Sequence, residues 1–180
     1  MQRPITLALF LMLPLLACPG CQSTPAHAEH SAAVEQQRLA ALDEINRVID
    51  DFHDAAAVAD LNRYFGHLTA HAVFLGTDAW ERWPRDRFRE YAAPHFLGES
   101  AWVYAPRDRS VGLSESGTVA WFDEQVDNVK YGTLRGSGVL ELCSDGVWRI
   151  SQYNLGFTVP NAIAGEVVEM IKTHGEAERR

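Results

Sequence analysis

The sequence predicts an α+β domain, a cone-like curved antiparallel sheet wrapped on helices that precede it. Three observations carry that reading. Before Gly98 the apolar residues recur at helical spacing, and after it they alternate. Helices gathered first and strands gathered afterwards argue against a regular β-α-β sheet. The strands are long and the helix faces strongly apolar, so a sheet wrapped on the helices buries both. Such a cone has one open end, a natural ligand pocket.

The elements follow in order. A long first helix is expected from about Ala32 to Ala56, with Leu39, Leu42, Ile45, Ile49 and Phe52 on one face. A short second helix follows from about Asp60, a good N-cap residue, and carries Leu61, Tyr64, Phe65 and Leu68. Ala72 to Leu75 reads as a short strand broken by Gly76-Thr77-Asp78. Pro84 suits the first turn of a third helix, and Pro94 ends or kinks it. Four extended segments come next: about Ser100–Val111, Thr118–Val126, Gly132–Cys143 and Val147–Phe157. Asp127–Tyr131 and Ser144-Asp145-Gly146 are their turns. A last helix is expected over about Asn161–Lys172.

The amino terminus is a separate matter. Residues 1–17 hold Arg3 and a short uncharged apolar run, Ile5 to Ala17, too short for a membrane span of about 20 residues. They read as a signal peptide. Leu15-Leu16-Ala17-Cys18 resembles a lipobox, which makes Cys18 the lipid-bearing first residue of an exported, membrane-anchored lipoprotein. The competing readings are cleavage after Ala26-His27-Ala28, or acylation at Cys21. Residues 18–31 then form a flexible tether, 32–174 one domain and 175–180 a tail. The anchor puts the protein in the periplasm or at the outer membrane.

The chain has 180 residues and a formal charge of −8, or −9 once Arg3 leaves with the leader. That charge argues against nucleic acid or an anionic membrane surface as partner. The cysteine spacing shows no metal or redox pattern. There is no glycine-rich phosphate loop, no G-x-S-x-G elbow and no H-E-x-x-H, so neither a metal nor a cofactor is expected.

Three stretches resemble a known family. They are Phe74-Leu75-Gly76-Thr77-Asp78 with Glu81 and Trp83; Ala120-Trp121-Phe122-Asp123-Glu124; and Arg135–Leu140 running into Trp148–Leu155. The chain is similar to the SnoaL-like branch of the nuclear transport factor 2-like superfamily over about Leu39 to Ile171. The resemblance implies the cone fold, also called cystatin-like. It does not choose a reaction, because the superfamily spans isomerases, dehydratases, cyclases, assembly modules and binding proteins.

Strand alternation supplies candidate site residues. Val119, Trp121, Asp123 and Gln125 share one face of their strand, and Trp148, Ile150, Gln152 and Asn154 share one face of theirs. Each set passes from apolar to polar, as a strand does on leaving a core for a pocket mouth. Asp123 is therefore the acid–base candidate, with Gln152 and Asn154 beside it and Tyr104, Trp121 and Ser137 as walls. The alternative is an Asp123 in solvent or paired with Arg135. Asp78, Trp80 and Glu81 are candidates for the pocket rim, or else a capped turn with packing aromatics. Glu124 falls on the opposite face, toward solvent or an interface. Three functions stay open: binding of a small apolar molecule, acid–base chemistry of the isomerase, cyclase or dehydratase type through Asp123, and homodimer assembly through the sheet face near Trp102 and Tyr104.

Overall fold

The computed structural model describes residues 25–177. The leader, Cys18 and Cys21 lie outside the described residues. Two units are compact in themselves, one ending at Glu35 and one starting at Gln36. The described part of the first is the start of the first helix, and the second holds the rest of that helix and every other element. Among the described residues no helix is long and apolar enough to cross a membrane.

Helix α1 spans Pro25–Ala57, so it begins earlier than Ala32 and includes part of the stretch read as tether. Within the second unit its apolar stripe buries Ile45, Val48, Ile49, Phe52, Ala55 and Ala56. Helix α2, Leu61–Gly66, is capped as expected: the Asp60 side chain accepts the Arg63 N–H at 3.0 Å. It buries Tyr64 and Phe65. Arg63 and His67 both bind the carboxylate of Asp51, tying α2 to α1.

Strand β1 is Leu68–Leu75 and β2 is Arg82–Pro84. Helix α3, Arg85–Ala92, starts right after Pro84 and passes into a 3-10 turn, Ala93–Leu97, at Pro94. Strands β3 Ala105–Leu113, β4 Val119–Asn128, β5 Gly132–Leu142 and β6 Trp148–Phe157 complete the sheet. Helix α4, Ala164–Ala177, ends the described chain.

The sheet order is β2-β1-β6-β5-β4-β3. It is mixed rather than purely antiparallel, because β1 pairs parallel with β6 while every other pair is antiparallel. The first extended segment begins later than expected. Trp102 and Tyr104 precede β3 and pack, half-buried, against the core instead of presenting a strand surface.

Irregularities decide which side chains face inward. In β4 the inward set is Ala120, Phe122, Glu124 and Val126. In β5 it is Leu134, Gly136, Gly138 and Leu140. In β6 the register shifts where Val139 pairs with Gln152 and Leu140 with Ile150, leaving Ser151 as the extra residue of a bulge. Trp148 and Ile150 face inward before the bulge, and Tyr153 and Leu155 after it. A second irregularity lies between Arg107 and Ser110 of β3, where Asp108 adopts φ 51°. Aspartate tolerates that left-handed conformation better than most residues. The kink turns Arg109 toward α1.

Candidate functional site

The inner face of the sheet and the helices enclose two adjoining spaces. The outer one is a cavity of about 390 Å³. Phe74, Phe88, Trp102, Tyr104 and Leu155 form its walls, and Tyr91, His95, Lys130 and Tyr131 stand toward its mouth. The inner one is a cleft of about 10 Å³, room for about one water molecule. Phe74, Trp102, Tyr104 and Leu155 line both spaces, so the cleft continues the cavity. His53, Tyr64 and Tyr153 line its inner end with Phe52.

Several rings in and beside the lining stack on one another, while Trp102 stands edge-on to Tyr64. Trp83 stacks on Tyr91 with centroids 5.0 Å apart, Phe88 on Phe74 at 4.0 Å, and Phe74 on Tyr153 at 5.5 Å. The interplanar angles are 20°, 10° and 13°. The lining is largely aromatic, which suits an apolar or aromatic guest.

Behind the inner end sits a buried charge network. Glu124 is 1% exposed. Its Oε1 lies 2.6 Å from His53 Nε2, and its Oε2 accepts from Arg109 Nε at 2.7 Å. Arg109 Nη1 donates to the backbone and side-chain oxygens of Asn46, each at 3.2 Å, and Nη2 pairs with Asp50 at 2.7 Å. Burial alone would raise the Glu124 carboxyl. The hydrogen bond from His53, its charge when the ring is protonated, and the Arg109 guanidinium outweigh it and hold the pKa below the ordinary value. Glu124 is thus ionised and can only accept hydrogen bonds. His53 Nε2 must then carry a proton, and in the neutral ring the free lone pair is on Nδ1.

Tyr153 stands beside this pair. A Cβ placed on Gly136 would meet Tyr153 Oη at 2.6 Å and Glu124 Oε1 at 3.1 Å, so both oxygens crowd the same glycine. Burial first, and the charge of Glu124 second, push the Tyr153 hydroxyl well above the usual tyrosine range. It stays a proton donor throughout the physiological range.

This arrangement corrects the residue assignments made from alternation. Asp123 is exposed and lies on the outer face, paired across the sheet with Ser110 and Ser137. Trp121 is on the same face, 53% exposed, with its indole over Gly112. Ser137 is half-buried there, and Gln152 and Asn154 also face outward because the Ser151 bulge reverses the alternation of β6. Glu124, expected outside, is the buried acid. Of the other candidates, Tyr104 lines both spaces and Glu81 lines the outer cavity. The Glu81 carboxylate accepts the Asp78 N–H at 3.0 Å, a capped turn, and Trp80 is exposed against Trp83.

Arg109 and Tyr153 are not among the sequence candidates, and His53 reads from sequence as a surface or satisfied core residue; a signal exists for His53 and for Glu124. His53 lies four residues after Ile49 and three before Ala56, inside the apolar stripe of α1. The Ala120, Phe122, Glu124, Val126 set is more uniformly apolar than its neighbour set, which marks it as the inner one. Among the described residues no group of three or more His, Cys, Asp or Glu side chains could hold a metal ion.

Comparison with known proteins places the fold. The SnoaL-like domain model matches residues 45–160. No curated protein matches the chain. An NTF2-like protein of unknown function from Pseudomonas putida KT2440 superposes with a TM-score of 0.57 at 12% identity, over 68% of this chain and 90% of that one. A proposed dehydratase of the NTF2-like family from Streptomyces avermitilis gives 0.57 at 11% identity, over 67% and 98%. A proposed scytalone dehydratase from Novosphingobium aromaticivorans DSM 12444 gives 0.55 at 14%, over 69% and 89%. At these identities the likeness is one of fold.

Proposed function

Because the chain belongs to the SnoaL-like domain family, we propose that it is a small-molecule-binding domain whose ligand is largely apolar and aromatic. The observation that carries the proposal is the aromatic cavity of about 390 Å³, within the size range of ligand pockets and open at one end. Leu155 lines both the cavity and the cleft, so enlarging it should block the path. Calorimetric titration with 2-naphthamide is expected to show saturable binding to the native protein. Leu155→Trp should bind at least about tenfold more weakly, the loss of a well-packed apolar contact of more than about 1.4 kcal/mol. Unaltered affinity in a variant with native circular dichroism would place the ligand elsewhere.

A second reading, acid–base catalysis, is favoured by one specific observation: His53 lines the cleft with its Nε2 held by buried Glu124. The Nδ1 lone pair is the candidate base, and the Tyr153 hydroxyl is a candidate donor to a carbonyl oxygen. In that reading His53 takes the role first given to Asp123. The fold neighbours described as dehydratases are compatible with it. The probe is 2-tetralone in D2O. A base in the cleft is expected to speed deuterium uptake at the carbon between ring and carbonyl. His53→Gln should lose about a hundredfold or more of that acceleration. Uptake no faster than in buffer removes the catalytic reading and leaves the binding one intact.

A further inference from the structure

The mouth of the cavity carries a feature that an apolar ligand would not need. Lys130 lines the mouth from the turn between β4 and β5. That turn is built rigidly. Asn128 Oδ1 accepts the N–H groups of Lys130 and Tyr131 at 2.9 and 3.0 Å. Asn128 Nδ2 donates to Val103 O at 2.9 Å, fixing the turn against the segment that holds Trp102 and Tyr104. The Lys130 ammonium lies 4.7 Å from the centre of the Tyr131 ring, and Tyr131 packs edge-on against Phe157 at 5.7 Å. The backbone of the lip is therefore fixed, and the Lys130 ammonium extends from it against the Tyr131 ring.

Arg107, Arg109, Arg149 and Lys172 are each paired with a carboxylate within 2.9 Å. Lys130 has no carboxylate within ion-pair distance among the described residues. Arg38, Arg82, Arg89 and Arg135 also have no carboxylate within ion-pair distance among the described residues, but none of them lines the cavity. Glu81 is the acid that lines the same cavity, and its carboxylate is engaged by the Asp78 N–H. His95 adds a second basic group to the lining. In a chain of net charge −8, whose field repels anions, a local cation is what would let an anion approach.

We propose that Lys130 anchors a negative charge on the ligand, so that the cavity takes an aromatic carboxylate with its ring inside and its carboxylate at the lip. The inference rests on the reading of the cavity as a ligand site and adds the class of the ligand. An aromatic ring meets the aromatic lining. One carboxylate meets the ammonium, close enough to the surface for water to complete its hydration.

The test compares 2-naphthoate with 2-naphthamide, which has the same shape and no charge, by calorimetric titration of the protein. The native protein is expected to bind the carboxylate roughly fivefold more tightly, the scale of an exposed ion pair. The ratio should shrink at high salt, as such a pair is screened. In Lys130→Met the ratio should fall to about one. Equal affinities for the native protein overturn the anion proposal and leave the cavity reading standing. A preference that survives in Lys130→Met overturns the assignment to Lys130. Binding of neither probe takes down the cavity reading and this proposal with it.

Discussion

Glu124→Ala is expected to cost the domain about 3–5 kcal/mol of stability, the loss typical of breaking one partner out of a buried ion pair. The side chain of Glu124 is fully buried and that of Arg109 is 11% exposed. Removing the carboxylate leaves the Arg109 guanidinium without its inner counter-charge and the His53 N–H without an acceptor. Arg109 keeps Asp50 and Asn46 but loses its buried counter-charge, and the His53 N–H loses a buried acceptor. Chemical denaturation reads the loss directly, as a lower midpoint with an unchanged slope. Replacing the whole set with apolar residues, as in His53→Leu with Glu124→Leu and Arg109→Met, should cost far less than the single change. A Glu124→Ala variant within about 1 kcal/mol of native would show that the network is not holding the fold.

The same group gives stability a pH dependence of definite sign. The folded pKa of Glu124 is below its ordinary value of 4.5. On acidification the unfolded chain therefore takes up the proton first. The contribution is present in full above about pH 4.5 and is lost as pH falls through the depressed folded value. Acid denaturation of the native protein should be steeper over that window than that of the apolar triple variant.

Gly138→Ala is the second large effect, about 2–3 kcal/mol. A Cβ there would press into the Gln152 carbonyl oxygen and lie 2.8 Å from Phe122 Cε1. The carbonyl belongs to the neighbouring strand and Phe122 is buried in the core, so neither can retreat without moving the sheet. Gly112 makes the useful contrast. A Cβ there would meet the Trp121 indole, but that side chain is half in solvent and can swing away. Gly112→Ala should therefore cost much less than Gly138→Ala. Equal losses at the two positions would contradict this account.

Most of the architecture was legible because helical and strand periods differ plainly on either side of Gly98. The caps and turns were legible for local reasons: Asp60, Pro84 and Pro94 act on their immediate neighbours. What the sequence hid was phase. A strand has two faces, and choosing between Asp123 and Glu124 requires knowing which one meets the helices. Here the polar-tipped set was on the outside. The parallel β1–β6 pairing was hidden too, because it joins segments far apart in the chain. So was β2, three residues long and too short to show a period. The site followed from phase, and therefore changed with it: the acid moved from Asp123 to its neighbour.

The extra residue at Ser151 gives β6 a tolerance that the regular β4–β5 ladder lacks. Without it, Ile150 would join Gln152 directly, and Ile150, Tyr153 and Leu155 would still face inward on an unbroken ladder. Loss of one residue within β4, by contrast, would turn part of its inner set to the outside. Insertions and deletions during divergence should thus be found at position 151 and be purged from β4. The strand bearing Tyr153 is free to change length by one while the strand bearing Glu124 is not.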